Sequence, residues 1–262
     1  MSDSKPVLWH IEISHYNEKA RWALDYKRIA HRRRALPGGA HMLAALGLSR
    51  GHSATFPLLV LNGEAIGDST AIIGTLESRW PDPPLYPEDP QKRRRALDLE
   101  DYFDEELGPA IRLVAWHEIT RDPERLALLV QRSLPPSLRD TRPASAVAAR
   151  YAEAFTGLRY GVKSERAAER SREKVVAALD RLEAELDGND YLVGQRFSVA
   201  DLTAAALFYS LVLPAEGPQI GDPPEGFERF RAPLMERPGC EWVAAIYRRH
   251  REPAGVAAPI AA

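Results

Sequence analysis

Cysteine is nearly absent from these 262 residues, with Cys240 standing alone. One thiol excludes an internal disulfide, a CxxC redox pair and a thiolate zinc cluster, and it fits a reducing compartment. The histidines at 10, 15, 31, 41, 52, 117 and 250 show no HxxxH or His-carboxylate spacing, so no metal is expected. Charge of one sign is also missing. Lys plus Arg (35) nearly cancels Asp plus Glu (37), and a net charge of −2 supplies no broad field for a nucleic-acid backbone. Long hydrophobic runs are lacking too. Val199–Pro214 is interrupted by Asp201, Thr203, Tyr209 and Ser210, and it falls short of the roughly 20 residues that cross a bilayer. It reads as a buried helix, and no membrane partner is expected. The opening MSDSKPVLWHIEIS has one lysine and no apolar stretch of signal-peptide length, which makes the cytoplasm the expected location. No GxSxG elbow, Walker loop or Rossmann glycine fingerprint occurs.

What is present is an ordinary globular composition, 45% hydrophobic and 27% charged. Proline punctuates it. PDPPLYPEDP, residues 81–90, holds five prolines that neither continue a helix nor donate to a sheet, and reads as a linker. Residues 1–80 carry 10 basic and 7 acidic residues, against 25 and 30 in residues 81–262. The first half mixes periods: a short apolar run Val7–Ile11, a helical pattern from His15 to Lys27, a second strand near Ile29–Leu36 and a short helix near His41–Leu48. Phe56–Leu61 then alternates into Asn62-Gly63 and Glu64-Ala65-Ile66, a hairpin signal because both turn positions need positive φ. Asp68-Ser69-Thr70 precedes an apolar stripe at Ile72, Ile73, Leu76 and Trp80. The order is βαβ followed by ββα. Beyond the linker only helical patterns follow: Gln91–Thr120 with a kink expected at Pro109, Ser164–Leu186, Ser198–Leu213 and Pro238–Arg251. Residues 133–160 have weak periodicity, and the last ten, PAGVAAPIAA, read as a frayed tail.

This layout resembles the cytosolic glutathione transferase family, and three local stretches sharpen the likeness. Ser14-His15-Tyr16-Asn17-Glu18-Lys19-Ala20-Arg21 is similar to the family's first-helix entry. Phe56-Pro57-Leu58-Leu59 with Asp68-Ser69-Thr70 resembles its apolar-Pro strand and acidic-Ser segment. Tyr191-Leu192-Val193-Gly194 leading to Ser198-Val199-Ala200-Asp201 is similar to its C-domain signature. The resemblance implies a thioredoxin-like α/β domain over 5–80, a linker over 81–90, and an all-α helical-bundle domain over 91–252 that contributes a hydrophobic substrate pocket. It further implies glutathione as co-substrate, a small hydrophobic electrophile and a homodimer.

Glutathione chemistry needs a thiolate, and a thiol of pKa about 8.5 is only a few per cent ionised at neutral pH. Lowering that pKa by about two units takes about 2.7 kcal/mol of preferential interaction with the anion. Ser14, before the first helix, suits this task through its hydroxyl and the helix N-terminus, or else it is simply an N-cap. Tyr16 offers a second hydroxyl and is expected beneath the helix. His15 stands where the family often has proline and is expected to be solvated, though its pKa range would allow a positive charge. For Phe56-Pro57 the resemblance implies a cis bond that turns the Phe56 backbone outward to the cysteinyl unit of glutathione; a trans edge strand is the alternative. Asp68 and Ser69 either hold the γ-glutamyl end or cap the next helix. Thr55 and His52 precede the strand as candidates for the glycyl carboxylate. Ser198 and Asp201 form a capping box whose job is folding. Tyr102, Phe103, Leu107, Ile111 and Trp116 are candidate pocket walls, but a stripe at helical spacing is more often core than pocket, and none of them is assigned. The Arg32-Arg33-Arg34 and Arg93-Arg94-Arg95 runs read as solvated faces. A non-catalytic binding or interaction protein on the same fold stays open as the other function.

Overall fold

The computed structural model describes residues 5–36, 40–133, 161–219 and 221–251, with the single positions 150, 154 and 157 between them. Most of the 133–160 stretch and the tail from 252 lie outside the described residues.

The first half forms β1 (Val7–His10), α1 (His15–Tyr26), β2 (Arg32–Ala35), α2 (Ala40–Leu48), β3 (Leu58–Leu61), β4 (Glu64–Gly67) and α3 (Ser69–Arg79). The sheet order is β2-β1-β3-β4. β1 and β2 run parallel with Leu8 opposite Arg33, as a crossover through α1 requires. β3 is antiparallel to β1, with Leu59 opposite Leu8, and to β4, with Leu59 opposite Ile66. Asn62 (φ 51°) and Gly63 (φ 83°) make the tight turn between β3 and β4. This is the thioredoxin-like α/β arrangement.

The second half is helical among the described residues: α4 (Pro90–Tyr102), a π-helical turn (Phe103–Leu107), α5 (Gly108–Arg121), α6 (Pro123–Ser133), α7 (Glu165–Leu186), α8 (Val199–Val212), α9 (Glu225–Arg231), a 3-10 turn (Ala232–Leu234) and α10 (Pro238–His250). The kink expected at Pro109 takes a different form. The helix widens into a π turn just before the proline, and Gly108 N–H bonds Phe103 O, five residues back. In that register the carbonyl of Asp104 faces residue 109, which as proline has no N–H to give.

α8 lies at the centre, buried at every position but Ser210. Its start is fixed by the Ser198–Asp201 box, in which Asp201 accepts from Ser198 N (2.8 Å) and Ser198 Oγ (2.7 Å), and also from Leu192 N (2.8 Å). α1 packs along α8, and one hydrophobic core runs through both halves from Leu8, Trp22, Leu59 and Ile72 to Leu99, Phe208 and Tyr247. The proline-rich segment is a docked strap. Glu77 accepts from Leu85 N (2.9 Å) and Tyr86 N (3.2 Å), Lys27 Nζ donates to Trp80 O (2.7 Å) and Pro83 O (3.0 Å), and Val199 N donates to Leu85 O (2.8 Å). Cys240 is buried in the core, where desolvation pushes its thiol up to about 11. No helix among the described residues is long and apolar enough to cross a membrane.

Candidate active site

The loop that leads into α1 is held by buried side chains from both halves. Arg21 donates to Ile11 O (3.1 Å) and Glu12 O (3.0 Å), and Tyr209 of α8 donates its hydroxyl to Ile13 O. Arg21 is in turn fixed by Glu18 (2.8 Å), which Arg251 also bonds (2.6 Å). His10 Nδ1 lies 2.9 Å from Arg21 Nη1. Burial, followed by the charges of Arg21, Arg33 and His31, holds the His10 pKa down to about 3, so the neutral ring accepts from the guanidinium.

Ser14 occupies the N-cap position of α1 in extended conformation (φ −86°, ψ 126°), yet its side chain makes no capping bond. Its Oγ instead accepts from Asn17 Nδ2 at 2.7 Å. The first bond of the helix ladder at this end is Glu18 N to Ser14 O (2.9 Å). The N–H groups of His15, Tyr16 and Asn17 precede that bond, and with the helix dipole they make this end an anion-attracting one.

His15 is buried and Tyr16 half-buried. His15 is enclosed rather than solvated, 5% exposed, and burial followed by Arg112 lowers its pKa to about 3. It is neutral at physiological pH and brings no positive charge. Tyr16 packs on the His15 ring (4.5 Å between centroids) and gives its hydroxyl hydrogen to Asp104 O at 2.6 Å, the carbonyl that the π turn and Pro109 leave without an N–H. Burial pushes its phenol above the ordinary range, opposed by Arg112 and aided to a lesser extent by the carboxylates of Asp104 and Asp68. Gly108 makes that bond possible, because a Cβ there would stand 2.1 Å from the Tyr16 oxygen.

The Phe56–Pro57 peptide is cis. The Phe56 side chain is buried against Trp9 (6.2 Å) and His41 (6.0 Å). Its carbonyl, expected to face outward, accepts from Asn17 Nδ2 at 3.2 Å and from Thr55 Oγ1 at 3.4 Å. At the head of α3, Asp68 caps the helix by accepting from Thr70 N (2.8 Å) and Ala71 N (3.2 Å). It does so in the left-handed region (φ 72°), an uncommon conformation for a non-glycine residue. Ser69 is buried at the first helical position, where its N–H has no intrahelical partner. α1 reaches α3 through buried Lys19, whose ammonium bonds Thr70 Oγ1 (2.9 Å) and pairs with Glu100 (2.7 Å) and Asp104. Ser14, Phe56–Pro57 and Asp68–Ser69 therefore converge on the first turns of α1.

Of the other candidates, Thr55 is exposed beside the site and donates its hydroxyl to Phe56 O (3.4 Å), whereas His52, also exposed, bonds Ser49 O (2.7 Å). Phe103, Leu107 and Ile111 belong to the core, Tyr102 lies under Arg181, and Trp116 is half-buried. The residues missed from sequence are Asn17, Lys19 and Arg112. Arg112 lies over the Tyr16 ring (5.7 Å) and acts on His15. Asn17 did leave a trace, since Ser14-x-x-Asn17 has the spacing of a capping box with an amide in place of the acid.

Two family models match the chain. The one described as "Glutathione S-transferase, N-terminal domain" covers residues 8–84, and "Glutathione S-transferase, C-terminal domain" covers residues 135–238. The chain belongs to the cytosolic glutathione transferase family. A Caenorhabditis elegans protein named "Probable maleylacetoacetate isomerase" is 33% identical over 96 residues, which is 37% of this family member and 45% of that protein. The chain thus spans less than half the length of the curated relative it matches. Among solved structures, a glutathione transferase from Phanerochaete chrysosporium superposes with a TM-score of 0.64 at 18% identity, covering 96% of this chain and 99% of that one. The beta-etherase LigF from Sphingobium sp. strain SYK-6 gives 0.60 at 18% identity, covering 92% and 98%. A transferase from Methylobacterium radiotolerans, in complex with glutathione sulfonate, gives 0.54 at 21% identity, covering 91% and 93%. At these identities the structures establish the shared fold of this family member.

Proposed function

We propose that the protein is a glutathione transferase that adds the glutathione thiolate to a small hydrophobic electrophile, with Ser14 stabilising the thiolate and Phe56, Pro57, Asp68 and Ser69 positioning the tripeptide. The observation that carries this reading is Ser14 itself. It sits at a helix start without capping it, and among the described residues no acceptor takes its hydroxyl hydrogen. Donation from that hydroxyl to a sulfur anion contributes about 1.5–3 kcal/mol as a bond to a charged group, and the helix N-terminus adds about 0.3–1 kcal/mol. Together they reach the two-unit lowering of a thiol pKa that the chemistry requires. The buried N–H of Ser69 and its hydroxyl suit the γ-glutamyl carboxylate, and Asp68 supplies negative charge near the ammonium. The family resemblance implies a homodimer, and the lone cysteine fits a cytoplasmic location.

The test is retention on immobilised glutathione followed by a conjugation assay with an aromatic electrophile, for wild type and Ser14→Ala. Wild type should turn over, and Ser14→Ala should lose about 10- to 100-fold in kcat/KM below the thiol pKa. Full activity in Ser14→Ala would remove Ser14 from the chemistry. A second reading, glutathione-dependent isomerisation, is favoured by the isomerase named among the relatives; it is separated by supplying a cis-enedione acid and watching for the trans product with glutathione unconsumed. Tight retention without either turnover would favour the non-catalytic binding protein.

A further inference from the structure

Asn17 is fully buried one turn into α1, and its amide makes three hydrogen bonds. Oδ1 accepts from Ile11 N (3.0 Å), and Nδ2 donates both to Phe56 O (3.2 Å) and to Ser14 Oγ (2.7 Å). The chemistry of the partners fixes which end of the amide faces which group. A backbone N–H can only give a hydrogen, so the group facing Ile11 is the oxygen. A carbonyl can only accept, so the group facing Phe56 is the NH2. The atom against Ser14 is therefore a donor, and the Ser14 oxygen is an acceptor in that contact. A hydroxyl has one hydrogen, and it must point away from Asn17. Accepting an N–H also polarises the O–H and strengthens what it gives.

We infer that Asn17 is a positioning residue for the Ser14 hydroxyl: it fixes the serine oxygen as acceptor, directs the single hydrogen toward the glutathione sulfur, and ties that geometry to the Phe56 carbonyl 39 residues away. This rests on the Ser14 reading above. Three alternatives explain the contacts less well. A plain capping role would spend Asn17 on backbone N–H groups alone, a core-filling role would not need three polar partners, and a direct role on sulfur is excluded because both amide hydrogens are committed.

The experiment titrates the thiol of bound glutathione by its ultraviolet thiolate absorbance in wild type, Ser14→Ala, Asn17→Ala, Asn17→Asp and the double variant Ser14→Ala/Asn17→Ala. Binding of S-methylglutathione, which has no ionisable thiol, reports site integrity. Asn17→Ala should raise the bound-thiol pKa by about one unit with S-methylglutathione still bound. Asn17→Asp should raise it further, because the carboxylate draws the Ser14 hydrogen inward. In the Ser14→Ala background the Asn17→Ala step should vanish. A wild-type pKa in Asn17→Ala, or a step of equal size without Ser14, overturns the proposal. An unchanged pKa in Ser14→Ala overturns the underlying reading instead. A crystal structure of wild type with glutathione bound decides the same question without a substitution. An amide rotated off Ser14 Oγ refutes the positioning role, and an Oγ bonded to Asn17 but turned from sulfur refutes the Ser14 role.

Discussion

Replacing Gly108 by alanine sets two ordinary effects against each other and tests the contact between the halves. Alanine at a helical position is favoured over glycine by about 1 kcal/mol. Against this, the new Cβ would lie 2.1 Å from the Tyr16 oxygen and 2.6 Å from its ring carbon Cζ. The Tyr16 ring, clamped by His15 and Arg112, would have to shift, at a cost of about 1–3 kcal/mol for overpacking. Its hydrogen bond to Asp104 O would break as well, stranding a carbonyl that has no helical N–H to turn to, for a further 1–3 kcal/mol or so. The net expectation is a loss of about 3 kcal/mol, read by urea denaturation at pH 7 with far-ultraviolet circular dichroism. Tyr16→Phe alone should cost about 1 kcal/mol, and on that background the alanine penalty should shrink, because the 2.1 Å clash and the bond are already gone. A Gly108→Ala protein as stable as wild type, or more so, would show that helix propensity wins and that Tyr16 does not need the space.

His15 and His10 set a pH dependence of stability. Each is held neutral in the native state with a pKa of about 3, while the unfolded chain binds a proton near 6.5, so stability present in full above 6.5 is lost as pH falls toward 3. At pH 5 each histidine should cost about 2 kcal/mol, and His15→Gln should reduce the fall between pH 7 and pH 5 by that amount in urea titrations. An unchanged fall would mean that native His15 is protonated. Lys19→Met leaves Glu100 and Asp104 without their buried cation and should cost about 3–5 kcal/mol. Because burial already raises the Glu100 pKa, that deficit should narrow as the pH is lowered and the carboxyl takes a proton; a deficit independent of pH would contradict the assignment.

Local chemistry made much of this fold legible. Asn62-Gly63 announced its turn because few other pairs accept two positive φ values, and Ser198-x-x-Asp201 announced a helix start because its bonds close within four residues. Ser14, Phe56–Pro57 and Asp68–Ser69 were marked as site candidates by the family resemblance, since alone each reads as a cap or an edge strand. Burial decided the rest and came from distant segments. His15 at a helix start looks solvated until α5 covers it, and Lys19 reads as a surface charge until Glu100 and Asp104 enclose it. Asn17 spends one of its three bonds on a residue 39 positions away, which no window of the sequence displays. Pro109 signalled an interrupted helix, but neither its π register nor the Tyr16 hydroxyl that takes the Asp104 carbonyl is written in the local sequence.

The Tyr16–Asp104–Gly108 contact constrains how such a chain can be recombined. Amino-terminal and helical lobes of relatives cannot be exchanged freely, because the recipient must offer an unmatched carbonyl and an adjacent residue with no side chain where the tyrosine arrives. A hybrid that inherits the tyrosine without that notch would seat its lobes apart, and the serine loop, anchored on Tyr209 of the far lobe, would inherit the misfit. Positions 16, 104 and 108 are therefore expected to travel as a set, although 88 residues separate the tyrosine from its acceptor.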